Sequence, residues 1–364
     1  MLKKKTNPVR EILNNKSSRR KFLKLGPLAF GGMVLPRMTG CSLPPKTKWP
    51  SMEELVVALD GPHNYLPTPF HANYDLDSEG LLKNVAFHAE RDRLTVVVGG
   101  GFGEGLSLSL KEHRELVTAA VVGAQGKMPV MAGVIGGYKN SILMAKNCEA
   151  AGADALVIFP PRPVRNHPAE NYYKYYKTII TSVNIGAVIL PHGQHDFWPD
   201  VLIRLAKIPN MIGFFPSLGL DNDYYSRVGG QVLEEVSKPL LFVSENEPAA
   251  SASFPTGSRA YSTAVASLIP ESSKRFWKYG VEGKISKMNE VFKNDLEPIL
   301  SIRGYKPGYG ISGIKVAMEA LGRAGGPVRP AYNQVDPRDR VGIADILRKH
   351  PETQSLVVHD FTSQ

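Results

Sequence analysis

Leu94-Thr95-Val96-Val97-Val98 runs directly into Gly99-Gly100-Gly101-Phe102-Gly103-Glu104, and Ser109-Leu110-Lys111-Glu112 then opens a stretch whose Leu116, Ala119, Ala120 and Ala124 share one helical stripe. An apolar run without alternation predicts a strand covered on both faces, as in a parallel sheet. Ser and Glu at this spacing make a capping box: the hydroxyl accepts an N–H of the first helical turn, and the carboxylate returns to the serine N–H. Strand, glycine loop and capped helix together form one βα unit.

Working outward, the same alternation recurs. Strands are predicted at 65–67, 94–98, 130–134, 155–159, 187–190, 211–215, 240–243 and 260–262. Eight such units close a (β/α)8 barrel, the TIM barrel. Ser141 can cap the helix that Gly152 ends, and Pro199 can open another over 196–207. Beyond Pro270 only helical patterns follow, at 271–279, 284–300, 311–322 and 341–349. The chain therefore divides into a leader (1–41), a lead-in (42–63), the barrel (64–283) and a small C-terminal helical extension (284–364). A doubly wound nucleotide-binding fold fits less well. Its glycine fingerprint follows the first strand and enters a helix at once, whereas here the glycines follow the second strand and the capped helix starts only at Ser109.

The formal charge of +10 is concentrated at one end. Residues 1–41 hold ten Lys and Arg against the single acid Glu11, so the rest is nearly neutral and gives no reason to expect nucleic-acid binding. Ser18-Arg19-Arg20-Lys21-Phe22-Leu23-Lys24 precedes a short, glycine-containing apolar run and then Met38-Thr39-Gly40-Cys41. This order resembles a twin-arginine signal, which implies the twin-arginine export machinery as a partner and a periplasmic destination. A disordered basic tail is the plain alternative. The run is shorter than the roughly 20 residues of a membrane span. Cys41 stands where a lipoprotein signal places its acylated cysteine; free release is the alternative. Cys148 is the other of the two cysteines, so an intrachain disulfide is not expected, and a buried inert thiol is.

The motifs carry a resemblance. Val96–Val98 with Gly99-Gly100-Gly101-Phe102-Gly103-Glu104 is similar to the Gly-Thr-Thr-Gly-Glu signature of the dihydrodipicolinate synthase/N-acetylneuraminate lyase superfamily. Pro129–Val134, Ala151–Ala155, Pro160-Pro161, Ile208–Gly213, Tyr261–Val265 and Gly326–Pro330 extend it over residues 64–347, and the later motifs resemble the 5-dehydro-4-deoxyglucarate dehydratase branch. The resemblance implies the barrel fold, a homodimer or homotetramer, no cofactor, and a lysine after strand six that condenses with a 2-oxo acid. An iminium formed in this way withdraws electrons from the neighbouring carbon.

The chain departs from that pattern where the chemistry resides. Phe215 occupies the Schiff-base lysine position, Pro191 that of the strand-five tyrosine, Arg162-Pro163 that of the pair after strand four, and Phe102 that of the second signature threonine. The remaining candidates are polar groups at predicted strand ends. Gly100 and Gly101 can offer backbone N–H groups to a carboxylate. Arg162 can pair bidentately with one, or make a salt bridge at a loop or subunit contact. His192, with an ordinary pKa of about 6.5, can move a proton, or simply hold its loop. His195 is a binding candidate; with His192 and Glu104 it also suggests a metal, although no third strand supplies a clear ligand. Glu104 can act as a base, or accept backbone N–H bonds and anchor the glycine loop. Ser262 can donate to the same ligand or cap its strand. Tyr172–Tyr176 reads as helix packing and an oligomer surface.

Three functions follow: a lyase or dehydratase acting on a small oxo or sugar acid without a Schiff base, a non-catalytic carboxylate- or sugar-acid-binding protein, and a metal-dependent lyase or aldolase relative.

Overall fold

Eight parallel strands close into a barrel in the computed structural model, which describes residues 49–161, 168–190, 199–215 and 222–362. The strands are β1 (Gly61–Tyr65), β2 (Thr95–Val98), β3 (Val130–Val134), β4 (Ala155–Ile158), β5 (Gly186–Ile189), β6 (Met211–Phe214), β7 (Leu241–Ser244) and β8 (Ala260–Thr263). Each pairs with its neighbour in sequence, and β8 closes on β1 through His63 opposite Ser262 and Asn64 opposite Thr263. Apart from half-buried Ser262, every strand residue is buried, which is why these segments read as continuous apolar runs.

The helices are α1 (Met52–Ala58), α2 (Ser78–Ala89), α3 (Leu110–Ala124), α4 (Tyr138–Ala151), α5 (Ala169–Ile180), α6 (Pro199–Ala206), α7 (Asn222–Glu235), α8 (Glu247–Ser253) and α9 (Pro270–Val281). The capping box of α3 forms as the sequence predicts: Ser109 Oγ accepts from Glu112 N at 3.2 Å, and Glu112 Oε2 accepts from Ser109 N at 2.9 Å. Gly152 ends α4 with φ +92°. None of the helices among the described residues is long and apolar enough to cross a membrane.

Two expectations are corrected. The first strand lies at Gly61–Tyr65 rather than 65–67; its Pro62, His63 and Asn64 disguise it, and the two polar side chains are buried only because each has a partner. Ser141 does not cap α4. Gly137 does, without a side-chain bond, and Ser141 lies in the first turn facing Tyr175 at 3.2 Å.

Beyond α9 the chain forms α10 (Ile285–Val291), a wider π-helical turn (Phe292–Leu296), α11 (Glu297–Arg303), α12 (Ser312–Ala320) and α13 (Pro337–Lys349). Residues 49–364 form one compact unit, so this extension packs with the barrel. It reaches back to the β2 loop, which positions the site.

Candidate active site

The glycine loop is built from its backbone outward. Gly99 adopts φ +67°, where a side chain is strained, and a Cβ on Gly133 of β3 would come within 2.6 Å of the Gly99 carbonyl oxygen. The loop therefore rests directly on β3. His113 Nε2 donates to Gly133 O at 2.8 Å, Thr68 Oγ1 to Gly103 O at 2.6 Å, and Gly105 N to Gly100 O at 3.0 Å. Among the described residues, the Gly100 and Gly101 N–H groups donate to no backbone carbonyl.

Glu104 closes the loop in the left-handed region, at φ +51°. Its carboxylate is wholly buried: Oε1 accepts from Lys315 Nζ on α12 at 2.8 Å, and Oε2 accepts from Arg329 N at 2.8 Å. Lys315 also donates to Pro327 O at 2.6 Å, and the Arg329 guanidinium pairs with Glu112 in the capping box. Burial lowers the Lys315 ammonium pKa, and Glu104 acts against that shift. Both Glu104 oxygens thus tie the loop to the C-terminal extension.

Side chains alternate in and out along a strand, which settles what faces the barrel mouth. Asn64 donates to His88 of α2 at 3.3 Å, and Tyr261 donates to Ser273 O of α9 at 3.0 Å, so both point to the helical ring. Their neighbours Tyr65 and Ser262 therefore turn inward. Likewise Phe214 packs on Phe242 at 4.8 Å, and Phe242 lies under Gly229 of α7. Phe215, at the end of β6, turns inward and is 1% exposed. A Cβ on Gly100 would come within 3.3 Å of the Tyr65 ring and 3.4 Å of the Phe159 ring. Among the described residues, the C-terminal mouth is thus walled by the rings of Tyr65, Phe159 and Phe215.

Of the residues singled out in the sequence, Gly100, Ser262 and Phe215 gather at this mouth, with Gly101 on its loop and Glu104 behind it. Arg162, Pro191, His192 and His195 lie outside the described residues. Among the described residues, no three His, Cys, Asp or Glu side chains converge on a metal position. Cys148 is buried, and burial raises its thiol pKa. Tyr172, Tyr175 and Tyr176 are buried on α5, while Tyr173 carries Arg204 above its ring at 3.7 Å. A groove of about 590 Å³, lined by Asp77, Lys83, Arg323 and Arg340 among others, borders α2 and α12 rather than the strand ends.

Two groups escaped the sequence reading. Glu247, which opens α8, is 0% exposed, and among the described residues neither carboxylate oxygen completes a hydrogen bond. Burial raises its pKa, with the Thr263 hydroxyl and the Arg303 charge pulling the other way. Arg303, the last residue of α11, stacks its guanidinium on Phe102 at 4.5 Å and has a buried Nε without a hydrogen-bond partner among the described residues. Phe102, read as a lost threonine, is thus a platform for a cation.

The dihydrodipicolinate synthetase family model matches residues 59–350, the whole barrel and most of the extension. The chain belongs to that family. Within the family it is closely related to the 5-dehydro-4-deoxyglucarate dehydratase branch. It is 29% identical over 321 residues to a probable 5-dehydro-4-deoxyglucarate dehydratase of Bacillus licheniformis, covering 84% of this chain and 100% of that protein. A Bacillus subtilis protein of the same description is 30% identical, covering 70% and 82% of the two chains. Dihydrodipicolinate synthase from Oceanobacillus iheyensis superposes with a TM-score of 0.71 at 23% identity, covering 82% of this chain and 98% of that one. That likeness speaks to the fold, and the family's barrel is the one seen here.

Proposed function

We propose that this protein is a family-type lyase or dehydratase for a small oxo or sugar acid, and that it works without a Schiff base. The carrying observation is Phe215: an inward-facing, buried phenyl ring at the position from which the family's lysine attacks. A phenyl ring cannot condense with a carbonyl, so the electron sink must come from hydrogen bonds and charge. The relatives' description suggests a hydroxylated oxo diacid as substrate. In this reading Gly100 and Gly101 receive a carboxylate with Arg162, His195 adds a polar contact, and His192 moves the proton.

Incubation with pyruvate and borohydride should leave no substrate-derived mass on the protein, while proton NMR should show water loss from 5-dehydro-4-deoxyglucarate. A near-stoichiometric reduced adduct on one lysine sinks the non-covalent mechanism. Tight binding of the acid without turnover sinks the enzymatic reading in favour of a binding protein. We also propose export through the Arg19-Arg20 signal, with Cys41 as an anchor, and assembly as a homodimer or homotetramer. Cell fractionation and sedimentation test these two points.

A further inference from the structure

Two hydroxyls, those of Tyr65 and Ser262, stand at the mouth of the barrel on adjacent strands. Tyr65 is the last residue of β1, and Ser262 lies on the adjacent strand β8. Both turn inward by the alternation described above. Tyr65 is more than nine-tenths buried, at 7% exposure, with its ring beside the space that Gly100 leaves open. Its hydroxyl lies near enough to Ser262 for the serine to act on the phenol's acidity. Even so, Ser262 Oγ is buried and, among the described residues, completes no hydrogen bond of good geometry. Two neighbouring hydroxyls beside aromatic rings, one of them lacking an acceptor among the described residues, form an incomplete polar site. Leaving a buried hydroxyl unmade is costly, and an anionic or carbonyl oxygen beside the pair would complete Ser262 and accept a second bond from Tyr65.

We propose that Tyr65 and Ser262 are the hydrogen-bonding cradle for the carbonyl oxygen of the substrate, taking over the electron-withdrawing task of the absent lysine. This rests on the non-covalent lyase reading. When the carbon beside the carbonyl loses its proton to the base assigned above to His192, the C–H electron pair becomes the new C=C bond. The C=O π pair moves to oxygen, and the enolate oxygen is held by the two O–H donors, which keep their protons. The enolate then re-forms the carbonyl as the electron pair expels the β-hydroxyl, which leaves as water with the proton returned by the base. Donors aimed at a developing oxyanion in a water-poor site act strongly because they need no reorganisation. Burial raises the Tyr65 phenol pKa, so it stays a donor throughout the working pH range.

The test uses the full chain and Tyr65→Phe, which removes one oxygen and leaves the ring packed, with Ser262→Ala beside it. Thermal melts confirm folding. With 5-dehydro-4-deoxyglucarate, Tyr65→Phe should lower kcat about 100-fold and Ser262→Ala about tenfold, with KM within threefold, the mark of an interaction made in the transition state. Oxalate, a planar mimic of the enolate, should bind each variant about tenfold more weakly than the parent, in line with the loss of a hydrogen bond to a charged group. Parent turnover with Tyr65→Phe retaining kcat within threefold overturns the cradle and leaves the lyase reading intact. If the parent binds oxalate without turning the acid over, the lyase reading falls and binding alone decides: unchanged oxalate affinity in Tyr65→Phe overturns the cradle, a tenfold loss upholds it. No oxalate binding by the parent overturns the cradle whatever the turnover.

Discussion

Lys315 Nζ lies 2.8 Å from Glu104 Oε1, and the two side chains are 1% and 0% exposed, so a helix of the C-terminal extension is pinned by a buried ion pair to the glycine loop of strand two. Removing one member leaves a charge in the interior without its partner. Lys315→Met is therefore expected to cost about 3–5 kcal/mol in urea unfolding. Adding Glu104→Leu to that variant should recover most of the loss, because the isolated charge is then gone as well. If Lys315→Met unfolds at the parental urea concentration, the pair is solvated and the pinning is wrong.

Phe215 offers a direct probe of which way the end of β6 faces. Phe215→Lys places an amine where the ring now sits, and burial should keep part of it unprotonated at neutral pH. Pyruvate with borohydride should then label that lysine, while the parent stays unlabelled. A folded Phe215→Lys protein without adduct would place residue 215 outside the ligand chamber.

Buried histidines predict acid lability. Burial lowers the His63 pKa to about 4, and His88 and His113 are lowered as well. Their folded values lie below the unfolded value of about 6.5, so the unfolded chain binds more protons in that interval. Their stabilising effect is complete above pH ~6.5 and drains away as pH falls toward the folded values. His63 alone accounts for something on the order of 3 kcal/mol. Urea midpoints measured from pH 7 down to pH 4.5 should fall steadily, and less steeply in His63→Gln.

Glu247 works in the opposite direction. Its folded pKa is raised, chiefly by burial, so its contribution is largest below the ordinary carboxylate range and is lost as pH rises through the folded value. Glu247→Gln keeps the shape without the ionisable proton. Relative to parent, it should gain melting temperature progressively above pH ~4.5. A parallel pair of melting curves across that range would show that Glu247 ionises as freely in the fold as outside it.

Most of the barrel was legible because its strands have both faces covered. Val130–Val134 coincides with the predicted run, and β2, β4, β5, β6, β7 and β8 begin or end within a residue of theirs. The first strand was misplaced because hydropathy cannot anticipate that His63 donates to Leu59 O, or that Asn64 meets His88. That shift hid Tyr65, which seemed to start a strand when it ends one and so faces the mouth. The predicted helix over 284–300 continues through a wider turn at Phe292–Leu296, which no residue pattern announces. At the site, the glycine loop could be read from its motif. The partners of Glu104 could not, since Lys315 and Arg329 arrive from 211 and 225 residues away. Glu247 lacked a signal because isolation of a carboxylate is a property of the packed interior.

The contact between Gly133 and the glycine loop has one more consequence. A Cβ at Gly133 would stand 2.7 Å from Gly100 Cα, and Gly100 already faces the Tyr65 ring across a gap that one Cβ would close to 3.3 Å. The aperture of the barrel is therefore gauged from behind, by a carbon that strand three does not have. A methyl group added there acts as a shim: Gly99 and Gly100 must shift to admit it, although neither is itself substituted. In the proposed reading, the fit of a ligand is thus tuned from strand three, one layer behind the loop that receives it.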